Sequence, residues 1–191
     1  VAIVRRSGRS GIPAVSMDRQ AWLRQALDWL KAQGRRRIAW LGIPECSAPD
    51  IDLFFKEAAA RQLESSPAWT LAADPTRPRW TAHAVQSLFR GECGSNPDGL
   101  LLTDDNLVEP AVETLQDMGP TVGRDLDVAA LNNFPLPLEV SASVFQLGFD
   151  MRELVDVALQ TLREMATGRN VPNCLQLPPR GLRISSCNRR R

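Results

Sequence analysis

Asp104, Asp105 and Asn106 stand in a row directly after the apolar run 99–103. Such side chains at the end of a strand can accept hydrogen bonds from the free N–H groups of a following helix. They can equally present carboxylates and an amide to a ligand. The paired carboxylates would also suit Mg²⁺ beside a phosphate, but no second acidic cluster is placed by sequence to complete such a site. Asp50, Trp80 and Asn132 occupy other places where an apolar run gives way to a polar loop or a helix start. With Asp104 they offer carboxylates, an amide and an aromatic plane, the set that holds a sugar by its hydroxyls and its C–H face. The competing reading makes the polar groups caps and Trp80 hydrophobic filling.

Catalytic constellations are missing. The chain has no GxSxG elbow, P-loop or HExxH, and its single histidine, His83, rules out a site needing two. His83 is expected to be an ordinary helix residue. Gly8-Arg9-Ser10-Gly11 is too short and too basic for a dinucleotide fingerprint. No enzyme activity, cofactor or metal is expected.

The 191 residues suffice for a sizeable core, and 43% hydrophobic with 24% charged residues is an ordinary globular balance. A net charge of +1 offers no global attraction to nucleic acid or an anionic membrane. Cys46, Cys93, Cys174 and Cys187 lie far apart without a CxxC pair, which reads as free thiols in a reducing, cytoplasmic setting. No apolar run approaches the ~18 residues of a membrane span. No signal peptide opens the chain, although Val1 in place of Met points to a fragment.

The elements that must position these residues alternate. Strands are expected at 1–4, 12–17, 38–43, 68–73, 99–103, 128–131 and 181–186. Helices are expected between Asp18 and Gly34, through Leu53 to Leu63, at 80–89, at 107–118 and at 147–167. Arg35-Arg36-Arg37, after the first helix, reads as a solvated helix end. The alternation predicts a parallel α/β sheet covered by helices, whose ligand-binding edge lies at the carboxyl ends of the strands.

The order of motifs resembles the sensor domain of LacI/GalR-family transcriptional regulators. Ile12-Pro13-Ala14-Val15-Ser16-Met17-Asp18 is similar to the family's strand into the first inter-lobe crossing, and Gly34-Arg35-Arg36-Arg37-Ile38-Ala39 to its "GhrrIa". The stretch 97–115 resembles "pdai…nD.lA.Gal", and 119–132 resembles "G..vp.DisvvgfD". Leu147-Gly148 resembles "mG..A", and 177–186 the closing "lp..livR.St". The resemblance implies a periplasmic-binding-protein-like fold of type I, with a complete C-terminal lobe and remnants of the N-terminal one. It divides the chain into 1–17 (end of the N-terminal lobe and a crossing), 18–134 (C-terminal lobe), 135–173 (crossing and returning helix) and 174–191 (final crossing and strand).

It further implies a cytoplasmic homodimer that binds a sugar-like effector and reaches DNA only through a head domain outside this chain, without a membrane. Ligand contacts would come from Asp50, Trp80, Asp104 and Asn132, with Arg6 opposite. Helix 107–118 and the segment after Asn133 would lie near the dimer interface. Departures from the family pattern are Asp50 to Asp52 in place of an effector-binding arginine, Asn132 for Asp and Pro110 for Gly. Such a changed charge pattern calls for different hydrogen-bond partners. A secreted solute-binding protein of the same fold is the alternative, and a metal-dependent enzyme using Asp104 and Asp105 a more distant one.

Overall fold

The apolar runs become strands of two sheets in a computed structural model. Residues 2–4, 13–46, 48–90, 96–136, 138 and 140–183 are described, with backbone alone at 2–4 and 182–183. Strands β1 (Ala2–Val4) and β2 (Ala14–Met17) open the chain, and Asp18 caps helix α1 (Arg19–Ala32) by accepting from the Ala21 N–H at 2.9 Å. Then follow β3 (Ile38–Gly42), α2 (Ala48–Ala60), β4 (Thr70–Ala72), α3 (Pro78–Phe89), β5 (Gly99–Leu102), α4 (Val108–Met118) and β6 (Asp127–Phe134). The chain ends through β7 (Val144–Asp150), α5 (Met151–Ala166), β8 (Cys174–Leu177) and β9 (Arg180–Arg183).

The larger sheet has six strands in the order β4-β3-β5-β6-β7-β9, parallel except for β9, which returns antiparallel to β7. The smaller is the parallel set β1-β2-β8. Alternate residues of a strand point to opposite faces, and both faces of the larger sheet are covered, which is why its strands are continuously apolar. Trp40, Leu101 and Ala129 face α1 and α2, where Trp22, Leu27 and Phe54 are buried. Leu41, Leu100, Leu102 and Ala130 face α3 and α4, meeting Val85, Leu88, Val108 and Leu115. Helix α5 instead lays Leu154 and Ala158 on Val15 and Leu177 of the smaller sheet.

Three expectations from the sequence change. The arginine cluster is not simply a solvated helix end. Arg35 donates to Asp127 at 2.6 Å and to the carbonyls of Arg124 and Asp125, while Asp98 accepts from the N–H groups of Arg36 and Arg37. These bonds tie the entries of β3, β5 and β6 together at the amino edge of the sheet.

Residues 147–150 are strand rather than helix, so the span 135–173 is not all crossing and returning helix. Phe145, Leu147 and Phe149 alternate, and β7 pairs with β6 over seven positions from Val144 to Asp150. Helical spacing does begin at Met151, where Asp150 caps α5 through Arg152 and Glu153 N–H. The apolar residues before it belong to a different period. Cys174–Leu177 likewise forms a strand of the smaller sheet where only a crossing was expected.

In the β6–β7 pair Gly148 lies beside Asn132, and a Cβ added to it would collide with the Asn132 backbone carbonyl. Gly34 makes the useful contrast, since its φ of +85° favours glycine but nothing lies within 4 Å of a would-be Cβ. Gly148→Ala is expected to lose ~3 kcal/mol or more in urea unfolding, by displacing backbone. Gly34→Ala should lose only ~1 kcal/mol. Equal losses in the two variants would sink the close-contact account.

Candidate functional site

A cleft of about 400 Å³ opens where the two sheets meet. Its walls come from the carboxyl ends of β2 and β8 (Ser16, Met17, Gln176) and from the first two turns of α1 and α2 with the Asp18 cap (Asp18, Arg19, Gln20, Arg24, Asp50, Leu53). Strand ends meet helix starts here because β2 runs directly into α1 through the Asp18 cap, whose N–H also donates to Leu177 O at 2.9 Å. The start of α1 is therefore anchored by its backbone to the end of β8.

The lining carries both signs of charge, two amides and a small apolar floor at Met17 and Leu53. Arg24 is held from behind, its Nε donating to Glu57 Oε1 at 2.8 Å, and Arg61 donates to the other Glu57 oxygen at 2.7 Å. Arg61 in turn donates to both oxygens of Asp28. Burial alone would push the Glu57 carboxyl up, but hydrogen bonds and charge from Arg61 and Arg24 outweigh it and the value falls below the usual carboxylate range. The volume and the mixed lining suit one small polar molecule with hydroxyl or charged groups.

Of the described residues singled out by sequence as ligand contacts, only Asp50 lines this cleft. Asp104 accepts from the N–H and side-chain amide of Asn106 at 3.1 and 2.9 Å, as a cap. Asp105 accepts from Asn133 Nδ2 at 2.8 Å, joining the ends of β5 and β6. Trp80 is 56% exposed at the start of α3, with the Arg77 guanidinium 5.8 Å from its ring centre. It is a surface residue, not filling. Asn132 is 0% exposed and points into the sheet, donating to Gln146 Oε1 at 2.7 Å, so it is not placed to touch a ligand in the cleft. Its own Oδ1 is buried without a partner among the described residues. Gln146 passes the connection on, donating to Leu138 O at 2.9 Å and pinning the segment after β6 to the sheet. Arg6 lies outside the described residues.

His83 is exposed on α3, as an ordinary helix residue is. Among the described residues no three His, Cys, Asp or Glu side chains converge where they could hold an ion. No helix there is long and apolar enough to cross a membrane. Cys174 is a free thiol, Cys46 Sγ lies 3.4 Å from Thr103 Oγ1, and Cys93 and Cys187 lie outside the described residues.

Sequence reasoning missed Ser16, Arg19, Gln20, Arg24 and Gln176. Arg19 and Gln20 follow a strand and a capping Asp, the same signature that drew attention to Asp104. Gln176 gave no such signal, because among the described residues its strand pairs only with β2, at the opposite end of the sequence, with Gln176 beside Ser16.

The family model for the periplasmic binding protein-like domain matches residues 27–185. The chain belongs to this family. Its fold is that of a LacI-family regulatory protein from Chloroflexus aggregans, at 22% identity and TM-score 0.83, covering 97% of this chain and 68% of that one. A LacI-family transcriptional regulator from Mycobacterium smegmatis is similar at 20% identity and TM-score 0.77, with 97% and 70% covered. A dimeric Lac repressor with an 11-residue C-terminal deletion matches at 17% identity and TM-score 0.76, with 90% and 62% covered. The chain thus spans about two-thirds of the length of these structures. No curated protein sequence matches it. The α/β family fold accounts for two sheets joined by several crossings.

Glu57 supplies a test of the cleft wall. Its carboxyl is lowered in the folded chain from an ordinary 4.5, so its contribution is full above about that pH and fades as pH falls through the folded value. Glu57→Gln is expected to lose roughly 2 kcal/mol at pH 7, less than a fully buried pair because Arg24 is half exposed. The gap between wild type and variant in urea unfolding should narrow as pH drops below about 4.5. A gap that stays constant down to acid unfolding would contradict this.

Proposed function

We propose that this chain is the effector-sensing, dimerising region of a cytoplasmic transcriptional regulator whose DNA-binding head lies outside it. The observation that carries the proposal is the polar cleft where the two sheets meet, with Asp50 on the wall of one and Ser16 and Gln176 on the other. A ligand spanning that gap contacts both sheets at once. It therefore favours the arrangement in which they lie closest, and its differential affinity for that arrangement is the only free energy available to shift the population. The crossings β2–α1, β7–α5 and β8–β9 absorb the movement. A shift transmitted through paired sensors would alter the spacing of two DNA-binding heads.

The effector is a sugar or related polar metabolite. Asp50 and the Gln20 and Gln176 amides take its hydroxyls, and Arg19 and Arg24 take acceptor or anionic groups. Asp104 and Trp80 reach parts of a larger ligand that extends along the carboxyl edge. Two copies pair through the larger lobe, as the matched Lac repressor is dimeric, with α4 and the segment after Asn133 near the contact. The chain has no assigned catalytic step.

Thermal unfolding of this chain against a panel of monosaccharides, disaccharides, sugar phosphates and sugar acids tests the reading. One class should raise the melting temperature, and Asp50→Ala and Gln176→Ala should each weaken it about tenfold or more, the loss of one buried polar partner. A ligand whose binding ignores both substitutions would place the site elsewhere. A panel without any stabilising compound would remove the sugar class.

A further inference from the structure

The polar groups of the cleft are unequally committed. Asp18 spends its carboxylate on the α1 cap, and Asp50 and Arg19 have contacts of their own. Arg24 is different. Its Nε donates to Glu57 at 2.8 Å, while among the described residues its two terminal nitrogens have no partner, on a side chain that is half exposed and forms part of the cleft wall. Glu57 is held on its other oxygen by Arg61, and Arg61 donates to both oxygens of Asp28, so neither carboxylate bonds the outer edge of Arg24. That edge is a rigid pair of N–H donors, the geometry that takes both oxygens of one carboxylate or phosphate.

Gln20 stands one helical turn before Arg24, so the two side chains are neighbours on α1. Across the cleft Gln176 lies beside Ser16 in the register of β8 with β2. The Gln20 and Gln176 amides make no hydrogen bond among the described residues, and both are exposed. The uncommitted groups are therefore a cationic fork on one wall and hydroxyl-binding amides on both. Resting on the sensing role proposed above, we infer that the effector is acidic: a monosaccharide bearing a carboxylate or a phosphate, its oxyanion on the Arg24 fork and its hydroxyls toward Gln20, Gln176 and Asp50. A cavity of about 400 Å³ is at the small end for ligand sites and suits a molecule of that size. Asp18 and Asp50 oppose an anion less than their formal charge implies, because they stand at the N-terminal ends of α1 and α2, whose N–H groups partly neutralise them.

Isothermal titration of the 191-residue chain at neutral pH tests this with glucose, galactose and mannose, each beside its uronate and its 6-phosphate. In at least one set an acid should bind about tenfold or more tighter than the neutral sugar, as a charge-assisted pair would give. The uronate and phosphate arms tell which oxyanion the fork takes. Arg24→Gln should bring the acid down to the affinity of the neutral sugar, and Arg24→Lys, which keeps the charge without the fork, should keep only part of the difference. Arg61→Gln loosens the same Glu57 from outside the cleft, so it should lower stability and leave the ratio as in wild type. A neutral sugar that binds as tightly as its acids, a ratio that survives Arg24→Gln, or one that collapses equally in Arg61→Gln would each overturn the inference and leave the sensing role standing. A chain that binds no member of any set would remove both.

Discussion

The backbone contact between Asn132 and Gly148 sets the course of everything after it. Because no side chain intervenes there, β6 and β7 stay paired over their full length, and the strand delivers Asp150 to the same edge of the sheet at which β3, β5 and β6 finish. Asp150 can then start α5 in the direction of the smaller sheet. Helix α5 covers Val15 and Leu177, β8 pairs with β2, and the ends of these strands become one wall of the cleft. A bulge at Gly148 would misplace Asp150, and the wall with it.

The other wall depends on charge. Arg24 of α1 and Arg61, just past the end of α2, share the buried carboxylate of Glu57 on α2, and Arg61 also reaches Asp28 of α1, so the two helices are tied together at two points. Two cations around one anion leave a positive excess, which Asp28 offsets on the outer side. The cleft inherits an arginine whose orientation is already set before any ligand arrives. Such preorganisation lowers the ordering cost of binding.

Much of this was legible in the sequence, and the failures have physical causes. The strands 38–42 and 99–102 and the helix from Arg19 to Ala32 stood out because burial on both faces, or on one stripe, leaves a local pattern. Strand β7 was hidden because its apolar alternation runs straight into the helical period of α5, and Leu147 fits both. Asn132 looked like a ligand group because strand-end amides often are, yet its partner Gln146 lies across a strand pair that could not be seen without β7. Asp104 looked the same as Asp50 in sequence, and its N–H and amide donors from Asn106 distinguish it only in three dimensions. The cleft itself needed the pairing of β2 with β8, a contact between the two ends of the chain.

The antiparallel return of β9 has a consequence for how the molecule holds together. The smaller sheet takes its strands from both ends of the chain, and the larger takes the long middle and then β9 after it. The two lobes are therefore interleaved along the sequence, and no single proteolytic cut releases either of them intact. A nick in one crossing leaves the other two to keep the halves in register. Neither lobe is an independent module that recombination could shuffle as one uninterrupted segment.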